Sequence, residues 1–287
     1  MALSRRDFLN VLKYVVGTAL ASLAGNYYLT RFEPSWVDVT RINIPIRGLP
    51  EAFSGYRILQ ISDIHIGGWM DKERLANVVD IILAEKPDLV AATGDFLIGT
   101  HWNPDLDGAA WEFLEVMTPL AQAHKVVAVM GNHDHWTDVE RVRTMLSMAG
   151  ILELRNDVHA LEKDGEKLYL AGVDDIYVNA QDLNLVLAKL PEGVPTILLA
   201  HEPDYADVTA ETGRFHFQIS GHSHGGQVVL PFGSPVVLPE WGRKYPAGLY
   251  NLGNMLLYTN RGVGMTSPFV RFNCRPEITV FTLYGAG

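Results

Sequence analysis

Five short polar clusters follow one another along the chain, each directly after an apolar run: Asp63-x-His65, Gly94-Asp95, Gly131-Asn132-His133-Asp134, His201 and Gly221-His222-x-His224. Carboxylate, amide and imidazole donors are what hard and borderline divalent cations take. Two such ions a few ångströms apart repel unless they share an anion, so one carboxylate must bridge them. Asp63, His65, Asp95, Asn132, His201, His222 and His224 supply two aspartates, four histidines and one asparagine, a balanced donor set for a pair. Such a pair polarises an ester oxygen and lowers the pKa of water towards neutrality, which is hydrolytic chemistry. Asp-x-His and His-x-His project two side chains to one side of an extended backbone. Gly94, Gly131 and Gly221 permit the tight turns that bring backbone against those donors. Taken alone, each cluster is weak: Gly-Asp is a common turn, and a lone Asp-x-His is usually surface polarity. Their joint order, each after an apolar run, carries the inference.

Strand ends must position these donors. Alternating apolar residues predict a strand over 37–46, and short β-rich runs predict strands over 57–62, 89–93 and 125–130. Helical spacing predicts helices over 72–85, 109–120 and 139–149, the first stopped by Pro87. Strand, polar loop and helix thus repeat three times, a rhythm that builds parallel strands with ligands past their carboxyl ends. The second half predicts strands over 167–173, 196–200, 217–220, 227–229, 255–259 and 277–283, with one helix over 183–190. Both halves fit an α/β fold in which two sheets pack face to face with helices outside.

Composition limits the alternatives. The 287 residues suit one large domain, or one domain plus a leader, and an apolar share of 48% is enough for a sizeable core. A net charge of −10 gives no general surface for nucleic acid, so a bound phosphate needs a local positive feature, which metal ions would provide. The single cysteine, Cys274, allows neither an intrachain disulfide nor a thiolate cluster.

The N-terminus reads Ser4-Arg5-Arg6-Asp7-Phe8-Leu9 and continues into a Gly/Ala-rich apolar stretch. Paired arginines ahead of such a segment resemble a twin-arginine export signal, although Asn10 stands where that signal prefers Lys. The uninterrupted run over 15–25 is shorter than the roughly 20 residues a spanning helix needs. Residues 1–30 are therefore expected to be an export signal or N-terminal anchor, and 36–287 a catalytic domain. Ala19-Leu20-Ala21 offers a cleavage site; an uncleaved leader would tether the protein to the membrane. The expected address is periplasmic or otherwise extracytoplasmic, reached through the twin-arginine export machinery.

The series D-x-H, G-D, G-N-H-D, H, G-H-x-H over residues 57–224 resembles the calcineurin-like metallophosphoesterase superfamily. Gly225-Gly226-Gln227, the 238–250 segment and Arg261-Gly262 are similar to its exported or membrane-associated bacterial branch. Phe96-Leu97-Ile98 depart from the pattern where many relatives carry a second acid. The resemblance implies a four-layer αββα sandwich of two mixed sheets and a binuclear centre of Mn, Fe, Zn or Co. It implies that Asp63, His65, Asp95 and His224 hold one ion, and Asp95, Asn132, His201 and His222 the other. His133 would stabilise the phosphoryl group or protonate the leaving oxygen, and Asp134 would orient His133. The implied reaction is hydrolysis of a phosphoester, most simply a phosphodiester, by metal-bridging hydroxide attack on phosphorus. Alternatives are a phosphomonoesterase, a lipid-linked nucleotide pyrophosphatase of the UDP-diacylglucosamine hydrolase type, and a non-catalytic scaffold.

Outside the pattern, His101, His124, His159 and His216 read as surface or satisfied polar residues. His135 with Trp136, and Gly67, Gly68 and Trp69, are candidates for the rim of a substrate entrance. The uncharged run over 230–239 reads either as a packed loop or as a surface meeting membrane or a lipid-bearing substrate. Glu240, Arg243 and Lys244 beside it are candidates to meet a phosphate or a lipid headgroup.

Overall fold

The structure is a computed structural model, and it describes residues 5–99, 103 and 105–286. Ser4 of the leader motif and His101 lie outside the described residues. Strands β1 (Asp38–Arg47), β2 (Arg57–Ile61), β3 (Leu89–Ala92), β4 (Lys125–Ala128), β5 (Leu152–Glu153) and β12 (Glu277–Ala286) form one six-stranded sheet in the order β1-β12-β2-β3-β4-β5. A second sheet has the order β10-β11-β9-β8-β7-β6. It is built from β6 (Asp157–Lys163), β7 (Glu166–Gly172), β8 (Thr196–Leu199), β9 (Phe217–Ser220), β10 (Gly248–Leu252) and β11 (Met255–Thr259). Both sheets are mixed: β2 to β5 run parallel while β12 lies antiparallel to β2, and β7-β8-β9-β11 run parallel between antiparallel edges β6 and β10.

Strand periodicity makes the layers. In β3, Leu89 and Ala91 point between the sheets, where Ile58, Val127, Leu170, Ile197, Leu199, Phe217 and Phe281 meet them. Val90 and Ala92 point outward to helices α2 (Lys72–Glu85), α3 (Leu106–Ala123) and α4 (Asn132–Ala149). Strands buried on both faces read as continuous apolar runs, which is why β2, β3 and β4 stand out in the sequence. On the far side α5 (Leu183–Lys189) and α6 (Ala206–Glu211) cover Ala171, Leu198 and Ala200. The expected four-layer αββα sandwich is therefore the observed one.

Several local expectations need correction. Residues 227–229 form only isolated bridges, Val228 to Phe272 and Val229 to Pro235, because the chain turns sharply there to enclose a cleft. Helix α4 begins at Asn132, not at 139; Asp138 adopts an extended φ of −177° that breaks it after a polar stretch of fewer than two turns. That stretch carries no apolar stripe, so helical spacing could not reveal it. Strands β5, β6 and β10 and helix α6 are additional. The β6–β7 hairpin turns on Asp164-Gly165, both at positive φ (51° and 82°), a dipeptide suited to tight hairpins. Finally, α1 (Arg5–Tyr27) is a continuous helix of 23 residues with no buried member. At 1.5 Å per residue it is about 35 Å long, so by length and composition it could cross a membrane. The shorter uninterrupted apolar run understated it.

Candidate metal centre

The five polar clusters lie just past strand ends at an edge shared by both sheets. β2 delivers Asp63 and His65, β3 Asp95, and β4 the start of α4 with Asn132 and His133; β8 delivers His201, and β9 His222 and His224. Four of the seven expected donors thus hang from the first sheet and three from the second. Asp63, His65, Asp95, His222 and His224 all adopt left-handed backbone, with φ between 50° and 68°. An L-residue there is strained by roughly 1–2 kcal/mol, and such strain gathers at functional sites. The glycines act by close approach. A Cβ on Gly131 would lie 2.3 Å from Asp95 Oδ1, and one on Gly221 1.9 Å from Ser62 Oγ.

The structure brings all seven together. His65 Nε2 and His224 Nε2 face each other at 3.1 Å. Asp63 Oδ1 lies 3.3 Å from His224 Nε2, and Asp95 Oδ2 3.5 Å from His65 Nε2. The same Asp95 oxygen lies 3.3 Å from His201 Nε2, so this carboxylate stands between two groups of donors. His222 packs edge-on to His201 with ring centroids 5.0 Å apart. Asn132 Oδ1 and His201 Nε2 are buried with no hydrogen-bond partner. Buried polar atoms without a partner beside two carboxylates fit a pair of divalent cations.

Outer partners fix the imidazoles for that task. Carbonyl oxygens only accept, so Thr93 O, 2.6 Å from His201 Nδ1, places a proton there and turns Nε2 to the site, 3.3 Å from Asp95 Oδ2. Glu240 O, 2.7 Å from His222 Nε2, fixes the opposite tautomer and leaves Nδ1 for the site. Burial pushes the pKa of His65 and of His222 down to about 3, and that of His224 well below its usual value, so all three are neutral donors at pH 7. Burial, with Asp95 adding to it, pushes Asp63 up to about 6. Burial opposes charge on both Asp95 and His201, but each favours charge on the other: Asp95 is held well below the carboxylate range and His201 well above the usual imidazole value.

His133 is partly exposed beside the donors. Its backbone N–H donates to Asp95 Oδ1 at 2.9 Å, and its Nδ1 lies 3.2 Å from Ile98 O, which leaves Nε2 available. Asp134 does not orient this ring, contrary to the expectation. Its fully buried carboxylate accepts the backbone N–H groups of Asp95 (2.9 Å), Phe96 (2.8 Å), Leu97 (3.4 Å) and Gly131 (3.0 Å). It fastens the Asp95 loop to the start of α4, and Ile98 O takes the role at His133.

A cleft of about 390 Å³ opens above the donors, bordered by Asp95, Asn132, His133, His222 and His224. Its outer walls are Trp136, Tyr177, Val228, Val236, Val237 and Pro268. Trp136 therefore stands at the entrance as expected, but His135 turns away to Asp174, 2.8 Å from Oδ1. Trp69 is not on the rim; its Nε1–H donates to Thr30 O at 3.2 Å. Lys244 is tied to Asp207 at 2.7 Å, the backbone N–H groups of Arg243 and Lys244 donate to Asp204, and neither residue borders the cleft. Tyr177 carried no sequence signal. It is placed by Glu202, whose buried carboxylate accepts the N–H groups of Ile176 and Tyr177. Its ring meets Trp136 edge-on at 5.2 Å.

Comparison with known proteins agrees with this geometry. Residues 56–226 match the calcineurin-like phosphoesterase family. The Bacillus subtilis protein YkuE, described as an uncharacterized metallophosphoesterase, is 34% identical over 284 residues, covering 98% of each chain. The Escherichia coli phosphodiesterase YaeI is 28% identical, covering 98% of this chain and 99% of its own. A Danio rerio transmembrane protein with a metallophosphoesterase domain is 30% identical over 87% of this chain and 57% of its own. Among solved structures, sulfate thiohydrolase SoxB of Thermus thermophilus superposes with a TM-score of 0.51 at 13% identity, over 82% of this chain and 57% of that one. That likeness is one of fold. The chain belongs to the calcineurin-like metallophosphoesterase family and is, by that class, a phosphoester hydrolase with clustered donors for divalent metal.

Proposed function

We propose that this protein is a binuclear metal-dependent phosphodiesterase. The observation that carries the diester over the monoester is the cleft wall: among its described lining residues there is no lysine or arginine. A monoester dianion needs more positive charge at its free oxygens than a diester monoanion does. Apolar walls of Trp136, Tyr177, Val228, Val236 and Val237 suit a second ester group instead. The E. coli relative described as a phosphodiesterase supports the same conclusion.

Asp63, His65, Asp95 and His224 would hold one divalent cation, and Asp95, Asn132, His201 and His222 the second, with Asp95 shared. When bound, the pair supplies Lewis acidity and lowers the pKa of water. Thr93 O and Glu240 O hold the His201 and His222 tautomers that donate inward. Asp134 holds the backbone of Asp95 in place. His133, as an imidazolium with Nδ1–H on Ile98 O, turns Nε2–H to the substrate, where it can donate to the phosphoryl group and pass that proton to the leaving oxygen. Residues 36–287 would form the catalytic domain. The apolar helix α1 is compatible with a signal or an anchor; Arg5-Arg6 at its start support twin-arginine export to an extracytoplasmic site.

Paired assays on bis-p-nitrophenyl phosphate and p-nitrophenyl phosphate with Mn²⁺ test the proposal. Faster turnover of the diester is expected. A clear preference for the monoester would overturn it.

A further inference from the structure

Residues 230–239 carry no charge, and they form a tight hairpin closed by Leu230 N–H to Ser234 O at 2.8 Å and Val236 N–H to Val228 O at 2.9 Å. At its tip Phe232 is wholly exposed, at 104%, and its φ of 89° is left-handed. Neither packing nor backbone preference explains a phenylalanine there: glycine would be less strained, and a polar residue better solvated. Leu230, Val236 and Val237 beside it are also exposed.

The hairpin is bonded to the root of α1. Val229 N–H donates to Phe272 O at 2.9 Å, Phe272 N–H to Gln227 O at 2.9 Å, and Arg271 N–H to Leu29 O at 3.0 Å. Helix α1 carries no charge from Tyr14 to Tyr27. At its end and just past it Tyr27, Tyr28, Phe32 and Trp36 are exposed, with Arg31 among them. Exposed Tyr and Trp next to an apolar helix mark the level of lipid headgroups. The other arm of the same hairpin, Val236 and Val237, forms a wall of the cleft.

We infer that the Leu230–Phe232 tip docks into the lipid bilayer that α1 enters, so that the cleft opens at the membrane interface and takes a lipid-bearing phosphodiester. The substrate class rests on the diesterase proposal; the docking does not. An apolar tip joined to an apolar helix has one occupant in common with it, the bilayer. A diester with an acyl or alkyl chain would reach the metal donors along Val236 and Val237 without leaving the interface.

The test places a nitroxide label at Phe232→Cys in the full chain, reconstituted into vesicles of phosphatidylcholine and phosphatidylglycerol. Cys274 is buried and is not expected to label. Relaxation of the label by oxygen, which partitions into lipid, and by a water-soluble nickel chelate then reports its surroundings. High oxygen and low nickel accessibility is expected. High nickel accessibility puts the tip in water and overturns the docking; low accessibility to both puts it against protein, such as a second copy, and overturns it equally. Phe232→Gly gives the second arm, since it relieves the positive φ and lies outside the cleft lining. It should leave turnover of bis-p-nitrophenyl phosphate unchanged and lower kcat/KM on vesicle-borne hexadecyl p-nitrophenyl phosphate about tenfold, the loss of one well-buried apolar contact. Equal turnover of the lipid diester by both forms overturns the substrate class. Failure of the unmodified protein on both diesters would instead count against the diesterase proposal and leave the label result standing.

Discussion

Replacing Asp134 by Asn separates a structural role from a chemical one. The carboxylate accepts four backbone N–H groups, two on each oxygen. An amide of the same shape keeps one acceptor and turns the other end into a donor facing donors. At least two bonds are lost, in a site with no access to water. Burial, with Asp95 adding to it, pushes Asp134 up to about 7, so unfolding is compared at pH 8, where the group is a carboxylate and each hydrogen bond to it contributes about 1.5–3 kcal/mol. The Leu97 contact at 3.4 Å is weak, and removing one negative charge relieves repulsion with Asp95. The expected destabilisation of Asp134→Asn is therefore about 2–4 kcal/mol, to be read from urea unfolding in chelator. For a domain of this size that corresponds to a Tm lower by roughly 5–15 °C. Divalent metal retained after gel filtration should fall in parallel, because the Asp95 loop loses its fastening. Turnover should fall no more than metal content does, once metal is restored in excess. Wild-type stability and metal content together with collapsed turnover would refute this reasoning and put Asp134 in the chemistry itself.

Three further outcomes are expected. His133→Ala should lower kcat by about 10²–10⁴ with metal content unchanged; unaltered turnover would remove it from catalysis. Metal affinity should rise with pH. Asp63, pushed up to about 6, and His201, raised well above its usual value, each shed a proton to become donors, whereas His65 and His222, at about 3, do not. Titration calorimetry in buffers of different ionisation heat should find proton release on metal binding that shrinks as pH rises through about 6, and a pH-independent affinity would contradict the assigned protonation. Phe281→Ala should cost about 3–5 kcal/mol, since its ring is fully buried between the sheets, edge-on to Phe217 at 5.0 Å and Tyr258 at 5.2 Å; a loss under about 1 kcal/mol would mean that the layer between the sheets repacks.

The donor set is legible in the sequence because each member follows a strand buried on both faces, and such strands announce themselves as apolar runs. Ile61, Ala92, Ala128, Leu199 and Ser220 end those strands, and the next residues can only be loop. What holds the donors is less legible, because it is backbone. Thr93 O, Ile98 O and Glu240 O orient three histidines without any side-chain signature, and any residue could supply those carbonyls. Asp134 misleads for a related reason. Its neighbour in sequence is His133, but on the first turn of α4 successive side chains diverge, and its partners lie 37 to 39 residues away for three of its four bonds. Tyr177 reaches the cleft on a loop with neither period nor motif. Strands β5 and β10 lie at sheet edges, where exposure thins the apolar pattern.

The left-handed backbone at Asp63, His65, Asp95, His222 and His224 makes these positions a record of two competing selections. In a library screened only for folded protein, glycine and asparagine should accumulate at all five, because both relax the turn and glycine also removes a buried polar group. Screened for turnover instead, the same library should keep the parental residues. The enrichment ratio between the two screens, position by position, then ranks how far each donor's contribution outweighs the conformational tension it sustains. Asn132 and His201, whose backbones are not among the left-handed ones, should show the smaller conflict and serve as internal controls.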